Sequence, residues 1–248
     1  MFDAKQAINT LINEIKAWFE ANAPKATAVL GISGGKDSTI TAALLKRALG
    51  ADRVFGVMMP CGTQSDIADS KKAINALEIR YTAVNIGESY DTMQYAFARN
   101  GFPVSKDAQV NLQPRLRMSA LYMVAQSLPE GGIVINTCNR SEDYVGYATK
   151  FGDCAGDVSI LGNYLVSEIL AIGDNLPEIP NELVHKAPSD GLWGVTDEDK
   201  LGFTYDELDQ YILTGKSGDP AKDAKMDKMY RSSRHKYVPM PLLGVPTK

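Results

Sequence analysis

One segment near the start of the chain constrains the fold more than any other. A continuous apolar run over residues 27–32 predicts a buried strand, and the residues from Ser38 to Gly50 have the apolar spacing of an amphipathic helix. A glycine-rich turn joins the two. Such a turn brings backbone N–H groups and the positive N-terminus of a helix around an anion. The segment therefore predicts an α/β fold with an anion-binding loop after its first strand.

Asp37 makes this loop more specific. A carboxylate would repel a bare phosphate, so its presence predicts a divalent cation between the two. The loop is not a Walker A motif, because Asp37 separates Lys36 from Ser38. The alternative is a turn that only connects a strand to a helix. The order of strand, glycines, acid, hydroxyl and helix favours a cradle for the magnesium-bound phosphates of a nucleoside triphosphate.

The rest of the chain alternates between apolar runs and helical patterns. Further strands are predicted at 54–59, 81–86 and 133–137, and they are continuously apolar, as in a parallel sheet covered on both faces. Helices are predicted at 7–19, 67–77, 90–98, 112–124, 160–172, 205–213 and 220–236, and a polar loop at 191–202. The sequence thus predicts an α/β fold, a Rossmann-like doubly wound parallel sheet in a single domain, residues 1–248, with a C-terminal helical tail.

Composition limits the partners and the compartment. The chain has 248 residues and a net charge of −4 without a basic block, which argues against a nucleic-acid partner. It lacks the apolar core of a signal peptide and a run long enough to span a membrane. Cys61, Cys138 and Cys154 are too far apart for a Cys-x-x-Cys motif. We therefore expect a cytoplasmic protein with reduced thiols and no membrane partner.

A second informative stretch follows the strand predicted at 133–137. Glu142 lies just after this strand, as Asp37 does after the first. Ligands of doubly wound sheets bind at the carboxyl ends of the strands, so both carboxylates are expected at one crevice, where they would suit Mg²⁺. Glu142 taken alone is better explained as an acid that complements the dipole of a helix N-terminus.

The motifs together resemble those of the NAD synthetases, members of the N-type ATP pyrophosphatase superfamily. The first motif is shared by the superfamily, whereas the order and spacing of the later ones are typical of NAD synthetases. The matching segments are 33–38, 111–118, 136–142, 150–157, 186–189, 196–199 and 235–236. The resemblance covers nearly the whole chain and implies an adenine nucleotide alpha hydrolase-like sheet.

The resemblance also implies roles for matching positions. ATP would be bound by Gly31, Ile32, Ser33, Gly34, Gly35, Lys36, Asp37, Ser38, Thr137 and Ser189. Catalysis and Mg²⁺ binding would depend on Asp37 and Glu142. Deamido-NAD (nicotinic acid adenine dinucleotide) would be bound by Arg115, Lys150, Asp157, His235 and Lys236. Members of the family are homodimers, and we expect the same here. The sequence adds one hint, because the helix predicted at 7–19 has a wide apolar stripe that needs cover.

The implied activity is that of a ligase forming a C–N bond. ATP adenylates the nicotinate carboxylate of deamido-NAD, ammonia then displaces AMP, and the products are NAD, AMP and pyrophosphate. Glutamine-dependent enzymes carry a large amidase domain before the synthetase domain. Only one helix is predicted before the first strand here, so free ammonia is the expected nitrogen donor, and the alternative is ammonia supplied by a separate subunit. The alternatives are another adenylating member of the superfamily and a nucleotide-binding module without catalysis.

Several of these residues have plainer explanations. Arg115 and Arg117 lie about 200° apart on a helix, so only one can face a given ligand; the family register favours Arg115, which leaves Arg117 as a structural or solvent-facing residue. Lys150 is also a good partner for a helix dipole. His235 and Lys236 could be ordinary surface residues. The acidic run 197–199 is most often a solvated loop, although it could recruit a cation.

One position departs from the family pattern. Many NAD synthetases carry a lysine that meets the ATP phosphates where this chain has Val166. A valine cannot neutralise phosphate charge, so another cation substitutes, ATP binds more weakly, or the activity has been lost. Lys36 and Lys150 are the candidate substitutes, and Lys36 is favoured because it lies in the phosphate loop.

Overall fold

The computed structural model describes residues 2–64, 67–186 and 196–244. The strands in these ranges are β1 Thr27–Gly31, β2 Val54–Met58, β3 Arg80–Ala83, β4 Gly132–Asn136 and β5 Val158–Ser159. The α-helices there are α1 Ala4–Asn22, α2 Lys36–Leu49, α3 Ile67–Leu77, α4 Gly87–Arg99, α5 Lys106–Ser127, α6 Arg140–Val145, α7 Val166–Asp174, α8 Asn181–Val184, α9 Asp197–Leu201, α10 Tyr205–Thr214 and α11 Pro220–Ser233. In this part of the chain, no helix is both long enough and apolar enough to cross a membrane.

The strands form one parallel sheet in the order β3-β2-β1-β4-β5. Val29 in the central strand pairs with Phe55 on one side and with Val134 on the other. The chain therefore leaves β1 toward one edge and returns toward the other, which makes the gap after β1 and β4 the switch point of the sheet. This topology confirms the predicted fold class.

Helices cover both faces of the sheet. On one face, α1 packs against α2 and α7 around a core that includes Phe19, Leu44 and Ile169. On the other face, α5 packs on β1 and β4, where Ala125 and Val134 are buried. A separate apolar cluster joins α6, α7 and α10 to the C-terminal α11. The predicted helical tail thus packs beside the sheet, next to the switch point.

The predicted and observed elements differ where local patterns are short. The helix predicted at 67–77 is confirmed in full, but β5 was not predicted because only two residues form it. The helix predicted at 160–172 begins later, at Val166. Part of the predicted polar loop is helical, because the Thr196 side chain accepts a hydrogen bond from Asp199 N while the Asp199 carboxylate accepts one from Thr196 N.

Candidate active site

The glycine-rich loop connects β1 to α2 and is closed by its own hydroxyl groups. The hydroxyl oxygens of Ser33 and Ser38 lie 3.1 Å apart, and Ser38 Oγ also donates to the carbonyl of Gly35 at 3.2 Å. Gly34 has a φ of +79°, and a Cβ there would lie 2.5 Å from the backbone of Asp69 and Ser70. The loop therefore needs a glycine at this position to lie against the start of α3.

A cavity of about 670 Å³ opens at the switch point of the sheet. Ser33 and Ser38 of the loop line one wall, and Thr137, just after β4, lines another. Arg117 of α5 and Lys236 of the C-terminal segment also face it. The structure thus brings the predicted phosphate loop and Thr137 to one cavity at the carboxyl ends of the strands. Ser189 lies outside the described residues.

Asp37 and Glu142 flank this switch point and are joined by Asn139. The Asn139 amide donates to Asp37 Oδ1 at 3.2 Å, and its oxygen accepts a hydrogen bond from Glu142 N at 2.9 Å. Burial, and then the charge of Asp37, raise the pKa of Glu142 to about 8. The two carboxylates are therefore close enough to repel each other, and both benefit from a cation.

This donor set fits Mg²⁺. Outside the undescribed segments, no group of three His, Cys, Asp or Glu side chains forms a cage for a metal made of protein alone. Mg²⁺ is usually held by one or two carboxylates, with substrate phosphates and water completing its shell. Asp37 and Glu142 beside a phosphate loop match that requirement.

Lys36 is buried beside Asp37. Its Nζ lies 2.8 Å from Asp37 Oδ2, and the residue is only 5% exposed. Burial lowers the pKa of this ammonium, but Asp37 and Glu142 together raise it above its usual value. Lys36 is therefore a buried counterion of the carboxylates, and like Asp37 and Glu142 it lies behind the residues that line the cavity. The expectation that it replaces the missing phosphate-binding lysine stays a prediction, and it requires Nζ to reach the phosphates from its contact with Asp37.

Asp197 belongs to the same charged cluster. The residue is 6% exposed and accepts a hydrogen bond from the Tyr147 hydroxyl at 2.9 Å. Its charge also contributes to the raised pKa of Glu142. The preferred interpretation of the run 197–199 as a solvated loop is therefore wrong for its first residue. The sequence signal was the helix cap at Thr196, which places Asp197 at the start of a helix.

The residues expected to bind the dinucleotide form a chain of contacts on one surface. Arg115 Nε donates to the carbonyl of Lys150 at 3.3 Å, and Lys150 Nζ donates to the carbonyl of His235 at 2.7 Å. Lys236 Nζ donates to the carbonyls of Gly146 and Ala148, each at 2.7 Å. The structure therefore gathers these four residues at the junction between the C-terminal segment and the turn after α6.

Asp157 lies nearby, at the edge of the sheet. Its carboxylate accepts hydrogen bonds from Val134 N at 2.8 Å and from the Tyr122 hydroxyl at 3.0 Å. Asp157 and Lys236 both line a second cavity of about 380 Å³. Lys236 also faces the main cavity, so it lies between the two.

Arg115 and Arg117 point to different surroundings, as the helical spacing predicts. Arg115 is exposed and lies near Lys150. Arg117 is half-buried, lines the main cavity and donates to the carbonyl of Met59 at 3.1 Å. The expectation that Arg117 is structural is thus incomplete, because the same side chain also faces the cavity.

A glycine-rich loop and a carboxylate pair at the switch point of a parallel sheet define the class of protein: an α/β nucleotide-binding protein. The family is more specific. Residues 7–239 match the family model for NAD synthase, so the chain belongs to this family of ATP-using ligases.

Individual relatives agree with this assignment. The chain is 38% identical over 231 residues to the NH(3)-dependent NAD(+) synthetase of Finegoldia magna, with 91% of this chain and 92% of the relative covered. The solved structure of NMN synthetase from Francisella tularensis matches with a TM-score of 0.88 and 32% identity over 100% of both chains. The solved structure of the NH3-dependent NAD synthetase from Campylobacter jejuni matches with a TM-score of 0.79 and 26% identity, and the match covers 98% of this chain and 100% of that chain.

Proposed function

We propose that this chain catalyses the ATP-dependent amidation of deamido-NAD to NAD with ammonia, releasing AMP and pyrophosphate. The observation that carries the proposal is the glycine-rich loop together with Asp37 and Glu142 at the switch point. A nucleotide-binding module has no need for a second carboxylate placed against the loop. Membership of the NAD synthase family supports the same activity.

The reaction proceeds in two steps. A carboxylate oxygen of the nicotinate attacks the α-phosphorus of ATP, and the bond to the β-phosphate oxygen breaks as pyrophosphate leaves. Ammonia then attacks the carbonyl carbon of the acyl adenylate, AMP leaves with the electrons of the C–O bond, and a proton is lost. No protein nucleophile is needed, so the chain's contribution is positioning and charge stabilisation.

The loop receives the phosphates of ATP in this proposal. Its hydroxyls at Ser33 and Ser38 line the cavity, and the N-terminus of α2 favours negative charge. Asp37 and Glu142 would hold Mg²⁺, which when bound neutralises phosphate charge. Thr137 lines the same cavity and completes the proposed nucleotide site.

The surface formed by Arg115, Lys150, His235 and Lys236 is the proposed dinucleotide site, with Asp157 beside it. Two of these side chains, Lys150 and Lys236, donate to backbone carbonyls and thereby fix the C-terminal segment. Cations at this junction suit the pyrophosphate and carboxylate of the substrate.

The proposal includes a homodimer, but the surface that supports it is not the one suggested by the sequence. The apolar stripe of α1 is covered by the chain's own core. By contrast, four large apolar side chains remain exposed by 41–74%: Met93 and Phe97 of α4, Phe102 in the connection between α4 and α5, and Met123 of α5. We propose this α4–α5 face, where the two helices contact each other, as the dimer interface. Light scattering tests this interface. We expect the wild-type protein to have the mass of a dimer and Phe97→Asp to lose it.

A second candidate substrate is nicotinic acid mononucleotide. The observation that favours it is the match to a protein described as an NMN synthetase over the full length of both chains, with a higher TM-score than the match to the Campylobacter NAD synthetase. The amidation chemistry is the same, and only the group attached to the nicotinate ribose phosphate differs.

The deciding experiment measures AMP and pyrophosphate release by the purified protein with ATP, Mg²⁺ and ammonium. Deamido-NAD and nicotinic acid mononucleotide are supplied separately, and then together in competition. Higher kcat/KM with deamido-NAD supports the main proposal, and the reverse supports the second candidate. Glutamine in place of ammonium, with ammonia scavenged, is expected to give no product. Absence of turnover with both nucleotides would refute the enzymatic proposal.

The metal pair is tested separately. Asp37→Asn and Glu142→Gln should each abolish turnover while the protein keeps its cooperative thermal unfolding. Full activity of either variant at low millimolar Mg²⁺ would remove that residue from the proposed metal site.

A further inference from the structure

The short helix that carries Glu142 depends on contacts with other helices for its orientation. Helix α6 has only six residues, Arg140–Val145, and a helix of this length is not stable by itself in water. Glu142 lies in the first turn of α6, so a contact at this turn determines where its carboxylate points. Ser141, the residue before it, is fully buried and makes such a contact.

The Ser141 hydroxyl joins α6 to two other helices. It donates a hydrogen bond to Asp209 Oδ1 of α10. It also accepts a hydrogen bond, at 3.1 Å, from the backbone N–H of Val166, the first residue of α7. A hydroxyl has one hydrogen to donate, so these two partners fix its orientation. Ser141 therefore ties the first turn of α6 to α7 and α10 at one point.

Asp209 is a buried carboxylate, and both of its oxygens serve this junction. It is 4% exposed, and while Oδ1 accepts from Ser141, Oδ2 accepts a hydrogen bond from Ser167 N at 2.9 Å, in the first turn of α7. A carboxylate is costly to bury, and an apolar residue often stabilises a core equally well. The charge has a use here, because hydrogen bonds to a charged acceptor are stronger than those to a neutral one and hold both helices.

The contacts of this turn continue to the other carboxylate of the proposed metal site. Asn139, just before α6, accepts a hydrogen bond from Glu142 N at 2.9 Å and donates to Asp37 Oδ1 at 3.2 Å. The contacts thus run from Asp209 through Ser141 to the turn that presents Glu142, and Asn139 extends them to Asp37. A rotation of α6 would move Glu142 relative to Asp37 and disturb the spacing that a shared cation requires.

We propose that Asp209 is a positioning residue for the metal pair. Through Ser141 it holds Glu142 in the orientation in which Glu142 and Asp37 bind one Mg²⁺. Asp209 acts by orienting a ligand of the metal and does not bind the metal itself. The inference rests on the proposed function only in that it takes Asp37 and Glu142 as the ligands of Mg²⁺.

The test measures binding of Mn²⁺, a paramagnetic substitute for Mg²⁺, by electron paramagnetic resonance. Mn²⁺ is titrated into the complex of the protein with a non-hydrolysable ATP analogue, and the protein is kept in excess over the analogue. Asp209→Asn removes the charge and keeps the shape of the side chain. Ser141→Ala removes the hydroxyl, and Ser141→Thr keeps it. Metal binding, unlike turnover, does not depend on which dinucleotide or mononucleotide is the second substrate.

Asp223→Asn is the matched control. Asp223 of α11 likewise accepts hydrogen bonds from a serine hydroxyl and from a backbone N–H, both of Ser217, and the N–H contact is 2.8 Å long. These contacts join the turn before α11 to its first residues and do not include α6. Thermal and urea unfolding measure the stability of each variant, and Ser141→Ala carries the test by itself if Asp209→Asn does not fold.

We expect Asp209→Asn and Ser141→Ala to weaken Mn²⁺ binding by about tenfold or more, as the loss of a group that orients a metal ligand typically does. Ser141→Thr should bind Mn²⁺ like the wild type, and so should Asp223→Asn, although it loses stability. Unchanged Mn²⁺ affinity in Ser141→Ala or in folded Asp209→Asn, or an equal loss in Asp223→Asn, would overturn the inference. Normal Mn²⁺ binding by a wild type without turnover would refute the proposed function alone, whereas a wild-type nucleotide complex that does not bind Mn²⁺ would overturn both.

Discussion

Replacing Gly34 by alanine tests whether the glycine-rich loop is held by its close approach to α3. Gly34 has a φ of +79°, a left-handed conformation that costs an L-residue about 1–2 kcal/mol. The added Cβ would lie 2.5 Å from Asp69 C and from Ser70 N. Because these are backbone atoms, the clash is relieved only by moving the loop or the helix, at about 1–3 kcal/mol.

The backbone strain and the clash of the added Cβ together give an expected loss of about 2–5 kcal/mol in the free energy of unfolding. For a chain of this size, that is a fall of about 4–20 °C in Tm. Urea unfolding followed by circular dichroism measures the free energy, and a thermal scan measures the Tm. Tighter ATP binding cannot hide the effect, since both measurements are made without nucleotide.

Gly35→Ala is the matched control. Gly35 has a φ of −82°, and a Cβ there would meet only Ser33 Oγ, at 3.4 Å. Its cost is that of a poorer N-cap for α2, about 1 kcal/mol or less. Equal destabilisation by the two substitutions would refute the argument, because it would mean that the general loss of glycine, and not the approach to α3, determines the stability of the loop.

Three further outcomes are expected. Arg234 stacks on two tyrosine rings and fixes the C-terminal segment. Arg234→Ala should therefore lower the free energy of unfolding in urea by about 1–3 kcal/mol. The same substitution should raise the KM for the nicotinate substrate more than the KM for ATP. Asp209→Asn should cost about 1–3 kcal/mol in the same assay, since the buried carboxylate accepts hydrogen bonds from Ser141 Oγ and Ser167 N. Burial raises the pKa of the Cys138 thiol. Iodoacetamide at pH 7.5 should therefore leave Cys138 unmodified in the native protein but label it in urea, and mass spectrometry measures the labelling.

The part of the fold that could be predicted is the part determined by neighbouring residues. The apolar run of β1, the glycines after it and the stripe of α2 are all continuous in sequence. The same is true of α3, whose bounds were predicted in full. Short elements carry too little pattern, and β5 forms only because its two residues pair with Ile135 and Asn136 of β4.

Burial of charged residues could not be predicted from sequence, because it depends on what tertiary packing brings near. The run that contains Asp197 looks like a solvated loop. In the structure, the Tyr147 hydroxyl and the α9 N-terminus hold Asp197 beside Glu142. The dimer argument fails for the same reason: the stripe of α1 indicates that something covers it, but not that α2 and α7 do so.

Lys36 shows why position in a motif does not by itself settle which cation meets the phosphates. Lys36 is in the loop itself, yet its long side chain is buried, and a buried ammonium without a partner would cost several kcal/mol. It is therefore held by Asp37, whose carboxylate it neutralises.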